Sequence, residues 1–214
     1  MTVRWLASLW RRPPSGPDES LATLGQRGFV AIDLETTGLD SRRDRIVSLA
    51  ALDFVDGDVV PALVSLVNPG RPIPPSATKI HGLDDGAVAD APDERTIVTR
   101  FDALCAGRLI VGHGVAFDVA VLARARGRAA ATPGPLATLC TQRLAASLHP
   151  AWSDLSLEAV CGALDVPVTG RHTAEGDALT AGRLFLALIP RLQTGGIRTL
   201  REALWLQDRA PIRA

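Results

Sequence analysis

The sequence predicts an α/β layer fold built on a mixed sheet. Three neighbouring β-rich apolar segments, over residues 28–34, 45–54 and 59–67, are followed by helix, strand, helix and helix. Asp56-Gly57-Asp58 between the second and third segments is a hairpin turn, so part of the sheet is antiparallel. The chain has 214 residues, 47% of them apolar and 21% charged, an ordinary globular composition able to bury a full core.

Residues 1–26 read as an N-terminal extension, 27–190 as the main domain and 191–214 as a basic C-terminal extension. In the first, Trp5, Leu6, Leu9 and Trp10 fall on one stripe of a short helix, which Pro13-Pro14-Ser15-Gly16-Pro17 ends. Gly28–Leu34 is uniformly apolar up to Asp33 and reads as a buried strand; Thr37–Asp40 is a turn. Asn68–Pro75, rich in proline, is a loop, and residues 93–106 form a helix. Leu109–Val111 is a short strand bounded by Gly112 and Gly114, leading into a helix over 117–128. Thr132–Pro135 breaks the chain. A helix over 155–164 starts at the cap candidate Asp154, and a long helix over 173–189 is stopped by Pro190. A last short helix spans 200–207.

Basic and acidic residues number 23 each, so no net field draws the chain to nucleic acid and any such binding is local. All basic residues but Lys79 are arginine. Cys105, Cys140 and Cys161 are odd in number and widely spaced, which argues against a disulfide scaffold or zinc knuckle and for a reduced, cytoplasmic protein. No apolar run approaches the roughly 20 residues of a membrane span. The first residues, too short in their apolar part, do not form a secretory signal.

Asp33 and Glu35 stand two apart at the end of the first strand, so both side chains point to one face. Two adjacent carboxylates ending an apolar strand need a counter-charge, which a hard divalent cation supplies; a solvated strand end is the alternative. Two hydroxyls and a glycine turn follow, in Asp33-Leu-Glu-Thr-Thr-Gly-Leu39. In Gly112-His-Gly-Val-Ala-Phe-Asp118 a strand end leads into a helix start bearing Asp118, and Arg171-His-Thr-Ala-Glu-Gly-Asp-Ala178 opens another helix with Asp177 beside His172.

These motifs resemble the DEDD superfamily of 3′→5′ exonucleases, in the branch whose third motif carries histidine, and are most similar to the proofreading (epsilon) subunits of bacterial DNA polymerase III. The family's D-x-E-T-T-G is met by Asp33, Glu35, Thr36, Thr37 and Gly38. Its H-N-x-x-F-D is met by His113, Phe117 and Asp118, and its R-H-x-A-x-x-D-A by Arg171, His172, Ala174, Asp177 and Ala178. A smaller I-H-G-[IL] element appears as Ile80–Leu83. Gly114 departs from the usual Asn, and Asp84 from a frequent Thr. The likeness covers residues 28–190.

The resemblance implies a ribonuclease-H-like fold around a mixed five-stranded sheet flanked by helices. It implies two divalent cations, Mg²⁺ or Mn²⁺, held by Asp33, Glu35, Asp118 and Asp177, with Asp33 bridging them. His172 would act as general base toward the attacking water, and the products would be nucleoside 5′-monophosphates released from 3′ ends. Thr36, Thr37, Gly38 and Leu39 would hold the terminal nucleotide, the Thr37 and Leu39 backbone N–H groups meeting its 3′-OH and the Leu39 side chain wedging against its base. His81 and Phe117 would line the pocket, with His113 as a support; His149 reads as surface.

The implied substrate is a single-stranded or frayed 3′ end of DNA, in replication proofreading or repair. RNA trimming, as in ribonuclease T or oligoribonuclease, is the alternative within the enzyme class. No acid occurs between Asp118 and Asp154, where Arg124, Arg126, Arg128 and Arg143 offer a phosphate path or, alternatively, a solvated helix end. A polymerase-bound subunit is the third reading. Residues 191–214 are short for the epsilon type's polymerase-binding tail, which favours a stand-alone or loosely attached enzyme.

Overall fold

The computed structural model describes residues 19–129 and 137–210; the Trp/Arg stripe of residues 4–12 and the break at Thr132–Pro135 lie outside them. The first strand, β1 (Phe29–Thr36), is buried on both faces until its carboxylates begin, as a central strand must be. β2 (Ile46–Val55) pairs antiparallel with β1, setting Phe29 opposite Phe54 and Glu35 opposite Ser48. β3 (Asp58–Leu66) pairs antiparallel with β2. The connecting turn places Asp56 at φ 52° and Gly57 at φ 86°, both left-handed, as a hairpin turn matching strand twist requires. β4 (Leu109–Gly112) runs parallel to β1, and β5 (Ala137–Cys140) parallel to β4. The order β3-β2-β1-β4-β5 is the expected mixed five-stranded sheet.

Alternation along β1 divides the core into two layers. Phe29 and Ala31 face one cluster, built with Leu184, Phe185 and Leu188 of the long helix α8 (Ala174–Thr194). Val30, Ile32 and Leu34 face the other, with Ile97, Val98 and Phe101 of α4 (Glu94–Cys105) and Val121 and Leu122 of α5 (Ala116–Ala129). Before these come α1 (Leu21–Arg27), α2 (Pro75–His81) and α3 (Asp85–Val88); between β5 and α8 lie α6 (Thr141–Leu148) and α7 (Leu157–Ala163). α7 is capped by Ser156, whose Oγ accepts from the Ala159 N–H; the expected cap, Asp154, accepts instead from the Ser156 N–H at 2.8 Å and shapes the approach.

α8 (Ala174–Thr194) runs through Pro190, which was expected to stop it. Proline removes one N–H and so one helical bond. Here Leu188, Ile189 and Leu192 on both sides of it are buried in the first layer, and packing outweighs the lost bond. α8 also presses close to the sheet: a Cβ on Gly182 would lie 2.2 Å from the Phe54 ring, which itself stacks on Phe29 at 4.8 Å.

α9 (Leu200–Gln207) starts with a capping box between Thr199 and Glu202. Ala203 and Leu206 are buried in the first layer. Gln207 reaches the edge of β5, accepting from the Cys140 N–H and donating to the Thr138 carbonyl, each at 2.8 Å. At the other end, Ser20 caps α1, and Leu21 and Leu24 are buried. The three cysteines are buried and unpaired with one another. No described helix is long and apolar enough to cross a membrane.

Candidate active site

The strand period that sends Phe29 and Ala31 toward α8 sends Asp33 and Glu35 the same way. α8 begins above them, with Thr173 Oγ1 accepting from the Gly176 N–H at 3.1 Å as its cap. Asp177 projects from the first turn, and carboxylate oxygens of Asp33, Glu35 and Asp177 lie within 4.8 Å of one another. Asp118 approaches from the other layer, on the first turn of α5. It stands outside that group of three, with Oδ1 accepting from the Leu34 N–H between Asp33 and Glu35 at 3.1 Å.

Carboxyls buried this closely together resist ionisation. Burial, then the charges of Asp118, Asp177 and Glu35, raise Asp33 well above the usual carboxylate range. Burial, then Asp177, push Glu35 up to about 7. Burial raises Asp118 and Asp177 as well. Asp177 Oδ1 is buried and without a hydrogen-bond partner among the described residues, which a native protein rarely tolerates. An all-oxygen donor set with an unpartnered buried oxygen fits a hard divalent cation.

Arg171 is the cation already touching this cluster. Its guanidinium bonds Asp177 through one terminal nitrogen and Glu158, on α7, through Nε. His172 follows at φ 61°, a left-handed conformation uncommon outside glycine. Its N–H donates to Asp177 Oδ2 at 3.3 Å, and its ring is exposed. The loop bearing both residues rests on the start of α8, where a Cβ on Gly176 would lie 2.1 Å from the Gly170 carbonyl oxygen. Neither the Arg171 fork nor this close approach was read from the sequence, although a glycine inside a helix's first turn beside Asp177 was a visible signal.

In the turn after β1, Thr36 Oγ1 donates to the Gly38 carbonyl at 2.6 Å and Thr37 Oγ1 to Asp44 Oδ1 at 2.8 Å. The Thr37 N–H, expected to meet a 3′-OH, is already given to the Arg45 carbonyl at 2.9 Å, because the turn closes onto the start of β2. Leu39 is 85% exposed at the tip. His81 ends α2, where Nδ1 accepts from the Leu83 N–H and Nε2 donates to the Thr36 carbonyl at 3.3 Å, fixing the ring against the turn. Phe117 is half-buried against the second layer. His113 donates from Nε2 to the Leu155 carbonyl at 2.8 Å, and burial holds its pKa down to about 4, so it braces the site as a neutral ring. Gly114 has φ 70°, a region that Asn also tolerates. Asp84 caps α3 by accepting from the Ala87 N–H at 2.9 Å, as a threonine would.

Three of the four arginines expected to offer a phosphate path are engaged within the protein. Arg126 is buried and grips Asp102 with Nε at 2.9 Å. Arg128 forks onto Glu94 at 3.0 and 2.9 Å. Arg143 donates to the Gln207 carbonyl at 2.7 Å. These three tie helices together, while Arg124 is exposed. Asp102 and Glu94, the acids that Arg126 and Arg128 meet, lie outside residues 119–153, so the local sequence does not show them. His149, expected at the surface, stacks on Trp152 at 4.0 Å between centroids.

Residues 30–185 match the family model described as Exonuclease. The chain belongs to the exonuclease family. The resemblance to DEDD 3′→5′ exonucleases of the epsilon kind is thereby shown. A DNA polymerase III subunit epsilon-like protein of Rhodobacter capsulatus is 36% identical over 199 residues, covering 88% of this chain and 28% of that protein. A PolC-type DNA polymerase III of Caldanaerobacter subterraneus is 28% identical, covering 86% of this chain and 13% of that protein. The exonuclease domain thus spans under a third of these relatives' lengths. Among solved structures, Exonuclease X in complex with 5′ overhanging duplex DNA superposes with a TM-score of 0.59 at 26% identity, over 82% of this chain and 97% of that one. E. coli Exonuclease I in complex with a dT13 oligonucleotide superposes with a TM-score of 0.66 at 20% identity, over 80% of this chain and 43% of that one, and shares the fold.

Proposed function

We propose that this exonuclease domain is a divalent-cation-dependent 3′→5′ exonuclease acting on single-stranded or frayed DNA ends. The observation carrying this reading is the convergence of Asp33, Glu35 and Asp177 to within 4.8 Å, with Asp118 behind them and an unpartnered Asp177 oxygen. Asp33, Glu35, Asp118 and Asp177 would hold two ions, Mg²⁺ or Mn²⁺. What the ions supply when bound is positive charge that reverses the repulsion between a carboxylate cluster and a phosphodiester and stabilises the attacking and leaving oxygens.

The chain's own residues do the rest. His172, exposed beside the cage, takes the proton of the attacking water as general base. Water oxygen bonds to phosphorus, the bond from phosphorus to the 3′ oxygen breaks, that oxygen takes a proton from solvent, and the departing nucleoside 5′-monophosphate leaves a new 3′-OH behind. The Leu39 side chain meets the last base, and Thr36, Thr37 and Gly38 shape the turn beneath it. His81 fixes that turn, and Phe117 lines its flank. The named DNA complexes of Exonuclease X and Exonuclease I support DNA as substrate.

The test is parallel digestion of matched 5′-labelled DNA and RNA oligomers in Mn²⁺. DNA shortening at least as fast as RNA supports the reading, whereas RNA shortened with DNA untouched would replace it with RNA trimming. The polymerase III names of the relatives favour a polymerase partner as a second reading. It predicts co-elution of the full chain with its host's replicative polymerase; separate elution supports the loosely attached enzyme.

A further inference from the structure

Arg171 stands between two carboxylates of different kinds. Asp177 is buried and belongs to the cage; Glu158 is exposed, on the first turn of α7, and lies outside it. Arg171 and the His172 N–H both reach Asp177 Oδ2, and Oδ1 alone is left over. The charge of Arg171 also favours ionised Asp33 and Glu35. A guanidinium and a divalent cation answer the same demand at Asp177, and held together there they repel. Glu158 gives the guanidinium somewhere to stay when it lets Asp177 go.

We propose that Arg171 is an internal counter-cation, which holds Asp177 in place before divalent ions bind and then yields that carboxylate to them, retained by Glu158. The inference rests on the reading that the cage holds divalent ions. Because His172 is the next residue and shares Asp177 Oδ2, the same exchange frees the backbone of the candidate base. Arg171 is thus a positioning residue that sets the affinity of the cage for its ions.

Calorimetric titration of the full chain with Mn²⁺, with melting temperatures in chelator, tests this without any substrate. Arg171→Gln is expected to melt lower without metal yet bind Mn²⁺ roughly fivefold to thirtyfold tighter, the factor that one or two kcal/mol gives. Glu158→Gln is expected to bind Mn²⁺ more weakly, since Arg171 then has only Asp177, and it carries the test if Arg171→Gln does not fold. Unchanged or weaker binding by Arg171→Gln, or unchanged or tighter binding by Glu158→Gln, overturns the inference while the wild type still takes up Mn²⁺. No uptake by the wild type overturns the cage reading and the inference with it.

Discussion

In the proposed reading, a single imidazole separates holding ions from using them. His172 gives only its backbone N–H to Asp177, so removing its ring leaves the cage intact. His172→Ala is expected to slow hydrolysis by about 10²–10⁴-fold, with Mn²⁺ affinity by calorimetry within a few-fold of wild type; an equal loss of affinity would remove the base assignment. The buried acids also make the metal-free protein sensitive to pH. Glu35 sits near 7 when folded and at the ordinary 4.5 when unfolded. Between those values the folded state binds more protons, so its stabilisation, complete below 4.5, is lost as pH rises through about 7. His113, lowered to about 4 from 6.5, acts in the opposite sense below 6.5, leaving the carboxylate effect alone above it. In chelator the melting temperature should fall from about pH 6.5 to about pH 8, and Glu35→Gln should flatten that fall; a rise over the same interval in wild type would contradict it. The acids themselves were legible, since a period of two and two helix starts place them. The direction of Asp118 was not, because its bond to the Leu34 N–H joins residues 84 positions apart in the chain.

At the scale of elements, the site depends on how closely α8 lies on the sheet. Gly182 lets the helix meet the Phe54 ring, which the stack with Phe29 holds in place. Gly182→Ala therefore overpacks the layer that positions Asp177 and should cost about 1–3 kcal/mol, read as a lower melting temperature; an unchanged one would show that the ring moves freely. Strands β1 to β4 were readable from apolar runs and the hairpin turn. β5 (Ala-Thr-Leu-Cys) lacks the continuous apolar run that marks the equally short β4; the family resemblance implied a fifth strand without placing it. Pro190 misled because its rule is local, whereas the burial of Leu192 that keeps the helix going is tertiary.

Over the whole molecule, the residues after α8 close one edge of the sheet. Gln207 satisfies the Cys140 N–H and the Thr138 carbonyl of β5, and stranding such groups costs on the order of 2 kcal/mol. Gln207→Ala should lower the melting temperature while Mn²⁺ affinity stays near wild type, checked on one sample by scanning and titration calorimetry. The arginines were the least legible feature at this scale, because Arg126 and Arg128 find Asp102 and Glu94 across the α4–α5 layer. In the proposed reading, Asp118 from one layer joins Asp33, Glu35 and Asp177 from the other in holding the ions with which the domain cleaves DNA from its 3′ end. Single-stranded DNA labelled at its 5′ end and incubated with Mn²⁺ measures this most directly, beside the same reaction with Asp33→Ala or with chelator. A ladder descending one nucleotide at a time with the wild type alone is the expected result. No ladder with the wild type in any divalent metal, or the same ladder with Asp33→Ala, would contradict the account.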